Sequence, residues 1–230
     1  MEASAELPLV QCQLVPIVIV DDHEIIRYAF SHFLAQTGTF TIVGETGSSI
    51  EAQSLIAQLR PRIAIIDISL RDGDGLELIK SVHYRFPSLL MLAYSMHDEE
   101  IYAERACRAG AKGYLMKTSP LESLETALDD LLLGKVVLGG PVRERVLARL
   151  SPGGTPDEAP LARLTDREVE VFRLIGKGTP ISKIAAHLCL SVKTIETYRE
   201  NLKKKLGLAN AGQLNRFAVE WSLKQERSSS

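Results

Sequence analysis

The fold of the first part of the chain is decided by the stretch Val15-Pro16-Ile17-Val18-Ile19-Val20-Asp21-Asp22. A short apolar run that ends in polar residues is typical of a strand in a sheet covered on both faces. Similar runs are found at 41–44, 63–66, 89–93 and 113–116. Helical patterns separate or follow them at 25–34, 50–59, 76–86, 98–109 and 121–133. Strict alternation of five strands with five helices predicts an α/β unit built on a five-stranded, doubly wound parallel sheet of the flavodoxin-like type.

Polar residues follow four of these strands where the strands end. They are Asp21, Asp22, Asp67, Ser95 and Lys117. Doubly wound sheets have their binding sites at the carboxyl ends of the strands, so these side chains are expected to lie together. Three carboxylates form a hard oxygen site that suits Mg²⁺. Asp67 is ionised at neutral pH and can attack a phosphoryl group once a divalent cation and Lys117 offset the charge repulsion. The set predicts a phospho-aspartate site, with Ser95 donating to the phosphoryl group.

Each of these residues also has an ordinary structural interpretation when it is taken alone. An Asp at a strand end, or a residue such as Ser95, commonly caps a helix, and a lone Lys is commonly solvated. The stretch 72–75 resembles a calcium-binding loop but lacks the later ligands, so a turn is predicted there. The phosphorylation site therefore depends on the whole constellation.

The net charge of −2 conceals two parts of opposite charge. Residues 1–160 hold 14 Lys and Arg and 22 Asp and Glu, a net charge of −8, whereas residues 161–230 hold 13 and 7, a net charge of +6. This asymmetry indicates two domains, the second with a polyanionic partner. A stretch rich in Pro, Gly and acidic residues at 151–160 predicts a linker. The predicted organisation is a first domain at 14–135, a linker at 136–160 with an optional short helix at 141–150, and a second domain at 161–225.

Membrane and secreted classes do not fit the sequence. No apolar run reaches the roughly 18 residues of a membrane span, and the first residues lack the basic region of a signal peptide. Cys12, Cys107 and Cys189 are odd in number and too far apart for a disulfide framework or a zinc site. A cytoplasmic protein with three small buried cysteines is expected.

The second domain is predicted to be entirely helical. Its four helices are predicted to start at the capping box Thr165-Asp166-Arg167-Glu168, at Thr179-Pro180, at Ser191 and at Ala211. Gly207 is predicted to end the third helix. Two short helices joined by a three-residue turn predict a helix-turn-helix, whose second helix enters the major groove of DNA.

The third helix of this domain carries five basic and two acidic residues between 191 and 206. Basic side chains suit DNA phosphates, which supply affinity and salt dependence but no sequence information. Glu196 and Glu200 have two interpretations that the sequence leaves open. Either residue can accept a hydrogen bond from cytosine N4, or it can pair across one helical turn with Lys193, Lys203 or Lys204.

The first domain resembles the receiver domain of two-component response regulators over 14–135. The resemblance is carried by Val20-Asp21-Asp22-His23, Asp67-Ile68-Ser69-Leu70, Ala93-Tyr94-Ser95-Met96-His97 and Gly110-Ala111-Lys112-Gly113-Tyr114-Leu115-Met116-Lys117. It implies that Asp67 is the phosphoacceptor and that Asp22 binds Mg²⁺ directly. Asp21 is implied to reach the metal through water, and the backbone carbonyl of Ser69 is implied as a further ligand.

The same resemblance assigns roles around the phosphoryl group. Ser95 and Lys117 are implied to contact it, and Tyr114 is implied to be an aromatic switch that rotates inward on activation. One departure is Leu70-Arg71, where the family often has Met-Pro. Ser69 and His97 occupy positions that resemble tuners of phosphoryl lifetime, which is a hypothesis for this chain.

The second domain resembles the LuxR-type DNA-binding domain of NarL/FixJ-type regulators over 161–224. Leu164-Thr165-Asp166-Arg167-Glu168-Val169-Glu170-Val171 and the helix pair that follows carry the resemblance. Dimer contacts are implied in the last helix near Leu214, Phe217 and Ala218, although Phe217 and Trp221 equally suit a core. Cys189 replaces the usual turn glycine. The DNA-binding residues expected in the third helix are Lys193, Thr194, Glu196, Thr197, Tyr198, Arg199, Glu200 and Lys203.

Together the two resemblances imply a DNA-binding response regulator of a two-component phosphorelay, not an enzyme. A sensor histidine kinase is expected to phosphorylate Asp67 with Mg²⁺ bound, and phosphorylation is expected to control homodimerisation, sequence-specific DNA binding and transcription. Contact with RNA polymerase is a further expectation. A haloacid-dehalogenase-like phosphatase is the enzymatic alternative, but that family needs a second Asp where this chain has Ser69. A regulator whose receiver domain is never phosphorylated is another alternative, and the complete site set counts against it.

Overall fold

The computed structural model describes residues 14–97, 99–140, 142–144, 161, 164–188 and 190–228. The chain divides into two units, residues 1–154 and 155–230. The strands of the first unit are β1 (Val15–Val20), β2 (Phe40–Thr46), β3 (Ile63–Asp67), β4 (Ser69–Leu70), β5 (Gly73–Asp74), β6 (Leu90–Ser95) and β7 (Gly113–Met116). Its helices are α1 (Glu24–Thr37), α2 (Ser49–Leu59), α3 (Gly75–Arg85), α4 (Glu99–Ala109) and α5 (Glu122–Leu132). The helices of the second unit are α6 (Asp166–Gly176), α7 (Ile181–His187), α8 (Val192–Leu206) and α9 (Ala211–Ser228).

The five long strands form one parallel sheet in the order β2-β1-β3-β6-β7, which confirms the predicted doubly wound fold. Ile17 and Ile65 on one face of the sheet pack with Phe30 of α1 and Leu128 of α5. Alternate residues of the central strands, such as Val18, point to the other face and are equally buried. Each such side chain contributes about 1.5–3 kcal/mol on burial, so both faces of the central strands stabilise the unit.

A two-stranded antiparallel hairpin, β4–β5, follows β3 directly and was not predicted from the sequence. Strands of two residues are too short to show an alternating pattern. Aspartates of the hairpin cap the neighbouring helices. Asp72 accepts a hydrogen bond from the backbone N of Ser49 at the start of α2 (3.0 Å), and Asp74 accepts one from the backbone N of Leu76 in α3 (2.8 Å). The turn itself lies at residues 71–72, because residues 73–74 form β5 and α3 begins at Gly75, so the turn predicted at 72–75 is only partly confirmed.

After α5 the chain returns to the sheet and pairs with the free edge of β7. Val137 donates its backbone N–H to Lys112 O (3.1 Å), and Tyr114 donates to Val137 O (2.9 Å). A Cβ on Gly113 would lie 2.8 Å from Val137 Cβ, so only glycine allows this close approach without a shift. The beginning of the predicted linker is thus attached to the first unit. Residues 140 and 142–144 are helical, while the rest of the optional short helix and the stretch 151–160 lie outside the described residues.

The helices of the second unit begin largely at the predicted caps. The capping box is confirmed, since Thr165 Oγ1 accepts from Glu168 N (3.3 Å) and Glu168 Oε2 accepts from Thr165 N (2.7 Å). Ser191 caps α8 through Thr194 N (3.0 Å). The second helix starts one residue later than predicted, with Pro180 as its N-cap. The backbone N of Thr179 donates to Leu174 O, so Thr179 belongs to the turn that ends α6.

Residues of α9 form the core of the second unit with α6. Phe172 packs against Phe217 and Trp221, with ring centroids 5.7 Å apart in each pair. Leu214 and Ala218 are 0% exposed. Leu214 and Ala218 are therefore enclosed within their own unit, so a dimer contact near them would use exposed neighbours in α9.

The cysteines and the helix lengths give two further observations. Within the described part of the chain, no helix is long and apolar enough to cross a membrane. Cys107 is a partly buried free thiol, and burial raises its pKa to about 11. Cys12 and Cys189 lie outside the described residues.

Candidate functional site

The site lies at the carboxyl ends of β1, β3, β6 and β7, where parallel strands bring their last residues to one edge. Lys117 Nζ lies 2.5 Å from Asp21 Oδ2 and 2.7 Å from Asp67 Oδ2. All three side chains are almost fully buried, at 4% exposure or less. Buried charges of this kind persist only when they are paired. The structure therefore joins three of the predicted residues into one charge cluster.

The carboxylate cluster has the composition of a divalent-cation site. Ligand atoms of Asp21, Asp22, His23 and Asp67 all lie within 4.8 Å of one another. Asp22 Oδ1 is buried and has no hydrogen-bond partner, although His23 Nδ1 lies 2.8 Å away outside hydrogen-bond geometry. Three hard oxygen donors with an unpartnered buried oxygen fit Mg²⁺. The sequence placed three of these residues at the site but assigned no role to His23.

The carboxyl group of Asp67 has a pKa raised to about 6. Desolvation by burial is the largest cause, the charge of Lys117 lowers the pKa, and the charge of Asp21 raises it. The backbone N of Ser69 donates to Asp67 Oδ1 at 3.0 Å, which fixes the orientation of the carboxylate. Burial thus removes water from around the carboxylate and raises its pKa, and the net effect of the neighbouring groups lowers the pKa only part of the way back.

Ser95 and Tyr114 are both buried in the first unit, and both are hydrogen-bonded to the backbone of His97. Ser95 Oγ accepts a hydrogen bond from His97 N (3.1 Å), and Tyr114 Oη donates one to His97 O (2.9 Å). Ser95 is 0% exposed and Tyr114 is 2% exposed. Tyr114 therefore has the inward orientation that the sequence resemblance associates with activation. The hydroxyl oxygen of Ser95 closes a turn at His97, two residues before α4 begins at Glu99.

His97 also bridges two loops of the site. Its Nε2 lies 2.7 Å from Ser69 Oγ, and its ring stacks on Tyr102 of α4 with centroids 4.6 Å apart. The residue two positions after Asp67 is thereby linked to the loop that follows β6. The resemblance indicated both Ser69 and His97 but no contact between them, and in the structure the two side chains are in contact.

Arg71 is a site residue that the sequence did not identify. Its Nε lies 2.9 Å from Asp22 Oδ2. In the sequence Arg71 stood out only as a departure from the Met-Pro that the family often has after this strand. Pairing between residues 49 positions apart depends on the fold, so no local pattern could reveal it.

The candidate DNA-binding surface lies on α8 of the second unit. Exposed there are Lys193, Thr197, Glu200 and Lys204, whereas Thr194, Glu196, Tyr198, Arg199 and Lys203 are partly buried. Glu200 pairs with Lys203 at 2.8 Å, one of the pairings left open by the sequence. Glu196 instead pairs with Arg199, which was not among the residues considered as its partners (3.1 Å).

Another basic residue of α8 forms an ion pair within the second unit. Lys205 Nζ lies 2.6 Å from Glu168 Oε2, the buried carboxylate of the capping box that opens α6. The positive charge of Lys205 is therefore partly neutralised by the domain itself. The charge count of the helix alone could not distinguish Lys205 from its neighbours Lys203 and Lys204.

A parallel sheet with a buried carboxylate–lysine cluster, followed by a helix-turn-helix unit, defines the class of DNA-binding response regulators. The response regulator receiver domain model matches residues 17–129, and the model for bacterial regulatory proteins of the luxR family matches residues 162–218. The chain belongs to the NarL/LuxR family of response regulators. It is a receiver joined to a LuxR-type DNA-binding domain, in a family of transcriptional regulators.

Similar proteins align with this chain over nearly their whole length. The transcriptional activator protein ExaE of Pseudomonas putida is 35% identical over 207 residues, which are 90% of this chain and 97% of ExaE. The DNA-binding transcriptional activator DevR/DosR of Mycobacterium tuberculosis is 32% identical over 214 residues, 93% of this chain and 97% of that protein. The structure of RcsB from Salmonella enterica serovar Typhimurium, bound to promoter P1flhDC with the phosphomimetic BeF3−, is 28% identical with a TM-score of 0.58, covering 90% of this chain and 100% of RcsB.

Proposed function

We propose that Asp67 is the phosphoacceptor of a two-component phosphorelay and that a sensor histidine kinase is its phosphoryl donor. The observation that supports this most directly is the position of Lys117 Nζ, 2.7 Å from Asp67 Oδ2. It provides a buried positive charge where an anionic phosphoryl group must approach an anionic nucleophile. An Oδ of Asp67 attacks phosphorus, and the bond from phosphorus to the histidine nitrogen of the donor breaks.

Mg²⁺ is the proposed cofactor. Asp22, Asp67 and the backbone carbonyl of Ser69 would be its ligands, and Asp21 would reach it through a water molecule. When bound, the ion offsets the repulsion between carboxylate and phosphoryl oxygens. The unpartnered buried Oδ1 of Asp22 and the hard oxygen donors around it support this assignment.

Ser95, Lys117 and Tyr114 are proposed to respond to the phosphoryl group. The hydroxyl of Ser95 donates to a phosphoryl oxygen after giving up its contact with His97 N, and Lys117 provides the second positive contact. Since Tyr114 is bonded to the carbonyl of the same His97, a rearrangement at Ser95 changes the balance between two arrangements of this loop.

The contact between Ser69 and His97 is proposed to set the lifetime of the phosphoryl group. The two side chains flank the phosphoacceptor and meet at 2.7 Å, so together they limit the approach of water to phosphorus. Ser69→Ala and His97→Ala are expected to change the first-order rate of dephosphorylation, measured as loss of the phosphorylated mass with time. Unchanged rates in both variants would reject this role.

The second unit is proposed to bind DNA sequence-specifically as a homodimer when Asp67 is phosphorylated. The predicted DNA-binding residues of α8 carry this function, with the exposed Lys193, Thr197 and Glu200 nearest the DNA. Dimerisation is assigned to the exposed part of α9 that includes Val219 and Leu223, which are 40% and 53% exposed. Regulation of transcription in the cytoplasm, through contact with RNA polymerase, completes the proposed role.

Incubation with acetyl phosphate and Mg²⁺, followed by intact mass measurement, tests the proposal. One phosphoryl group per wild-type chain is expected, and none on Asp67→Asn. DNA affinity, measured by fluorescence anisotropy, is expected to increase on phosphorylation of the wild type only. Continued release of phosphate well beyond the rate set by the decay of one phospho-aspartate would instead favour the phosphatase alternative, and tightening of DNA binding in Asp67→Asn would contradict the mechanism.

A further inference from the structure

We propose that Arg71 is a built-in competitor for the metal site, and that it lowers the affinity of the first unit for Mg²⁺ by pairing with Asp22. The inference rests on the proposed function, in which Asp22 is a direct ligand. It concerns a residue outside the set of phosphoryl and metal contacts, at a position where this chain departs from the family pattern.

The geometry places Arg71 directly on a metal-binding carboxylate. Arg71 Nε lies 2.9 Å from Asp22 Oδ2, while the other oxygen of Asp22 is the buried, unpartnered one. A cation that uses both oxygens of Asp22, or reorients the carboxylate, must therefore displace the guanidinium or share the carboxylate with it. Arg71 thus competes at the same carboxylate, beyond its general electrostatic effect.

The hairpin that carries Arg71 is anchored on both sides, so Arg71 is held near the site. Gly75 N donates to Ile68 O at the base of the hairpin (2.9 Å). On the other side, Asp72 Oδ2 accepts from Ser48 Oγ at 2.6 Å, which ties the turn to the start of α2. The backbone of Arg71 therefore stays beside Asp22 whether or not the Arg71 side chain pairs with the Asp22 carboxylate. The guanidinium consequently has a high effective concentration at that carboxylate.

The local charge favours the same conclusion. The carboxylates of Asp21, Asp22 and Asp67 with the single buried ammonium of Lys117 leave a formal charge of −2, which one divalent cation balances. Pairing of Arg71 with Asp22 reduces this deficit to −1. The protein itself then neutralises part of the negative charge that would attract a divalent cation.

Exposure of the arginine limits the size of the effect. The side chain of Arg71 is 78% exposed and that of Asp22 is 8% exposed, so the guanidinium can leave into water without losing a buried environment. Pairs of this kind are weak. Removal of Arg71 is therefore expected to tighten Mg²⁺ binding by about twofold to fivefold, not by orders of magnitude.

Isothermal titration of the full-length, unphosphorylated chain with MgCl₂ tests the inference. Arg71→Ala is expected to bind Mg²⁺ about twofold to fivefold more tightly than the wild type. Arg216→Ala is a matched control, since Arg216 is 77% exposed and pairs with Glu220 at the surface of the second unit. The control removes the same charge and is expected to bind Mg²⁺ as the wild type does.

A second measurement separates competition from a general loss of positive charge. In ¹⁵N-labelled protein, the side-chain Nε–H resonance of Arg71 is expected to move on addition of Mg²⁺ towards its position in Asp22→Asn. Unchanged or weaker Mg²⁺ binding in Arg71→Ala would overturn the inference while leaving the proposed function intact. An Arg71 Nε–H chemical shift that does not change on addition of Mg²⁺ would do the same. Absence of any Mg²⁺ binding in the wild type would instead remove the proposed metal site, and this inference with it.

Discussion

Replacing Asp67 with Asn is expected to stabilise the first unit when divalent cations are absent. Burial is the main reason that the pKa of Asp67 rises from 3.8 to about 6, in spite of the nearby Lys117. One unit of pKa difference between the folded and unfolded states corresponds to about 1.4 kcal/mol. Ionised Asp67 therefore lowers the free energy of unfolding by about 3 kcal/mol above pH 6.

The substitution retains part of the bonding around Asp67 and loses part. Ser69 N and Lys117 Nζ donate to different oxygens of the carboxylate, and an amide offers only one oxygen to these two donors. Loss of one such bond offsets about 1–2 kcal/mol of the gain. The expected net increase in the free energy of unfolding is about 1–2 kcal/mol at pH 7.5, or roughly 4 °C in Tm for each kcal/mol.

The gain is expected to depend on pH in a defined direction. Below pH 3.8 the carboxyl group is protonated in both states, so wild type and variant differ little. As pH rises towards 6, the unfolded state releases the proton before the folded state does, and the wild type loses stability relative to Asp67→Asn. About half of the difference is expected at pH 5, and all of it at pH 7.5.

Urea or thermal unfolding in EDTA, followed by far-UV circular dichroism, measures this difference. The single Trp221 packs on Phe172 in the second unit, so its fluorescence transition is an internal reference that should not move. Asp129→Asn, at an exposed position of α5, is the matched carboxyl-to-amide control and is expected to be neutral. Equal or lower stability of Asp67→Asn at pH 7.5, or a gain independent of pH, would refute the reasoning.

Three further substitutions test other parts of the structure. Gly113→Ala is expected to lower the free energy of unfolding of the first unit by about 1–3 kcal/mol, because the new Cβ would lie 2.8 Å from Val137 Cβ; circular dichroism checks this, and wild-type stability would contradict it. Lys193→Ala is expected to weaken binding to duplex DNA and to reduce the slope of log affinity against log salt by about 1. Lys205→Ala, which removes a lysine paired with Glu168, should change that slope less, and equal slopes would contradict the distinction. Val219→Asp is expected to abolish phosphorylation-dependent dimerisation in analytical ultracentrifugation, and a persistent dimer would exclude this part of α9 as the contact.

The features predicted well from the sequence are those encoded locally. The capping box at Thr165 depends on residues three positions apart, and the strand from Val15 to Val20 is marked by its own apolar run. The grouping of Asp21, Asp67 and Lys117 was also predictable, because parallel strands in alternation with helices must end at one edge of the sheet. In these cases a general rule of chain geometry turns a linear pattern into a spatial one.

The features missed are those created by tertiary contacts. The pairing of Arg71 with Asp22 and that of Lys205 with Glu168 join residues 49 and 37 positions apart, and no periodicity marks either. The β4–β5 hairpin is too short to show a pattern. Dimer contacts were expected near Leu214, but whether Leu214 itself is buried or exposed depends on how amphipathic helices pack, which no local pattern shows.

The contacts of the first unit connect the phosphoacceptor to the segment that leads towards the second unit. Asp67 is bonded to the backbone of Ser69, whose hydroxyl meets His97, and the carbonyl of His97 accepts from Tyr114. The backbone N of Tyr114 in turn donates to Val137. A change in the conformation of the His97 loop would therefore shift Tyr114 in β7, and with it the segment that is hydrogen-bonded to the edge of β7. Gly113 pairs with Val137 of that segment, and a Cβ on Gly113 would lie 2.8 Å from Val137 Cβ, so the absence of a side chain there is what allows the segment to lie against β7.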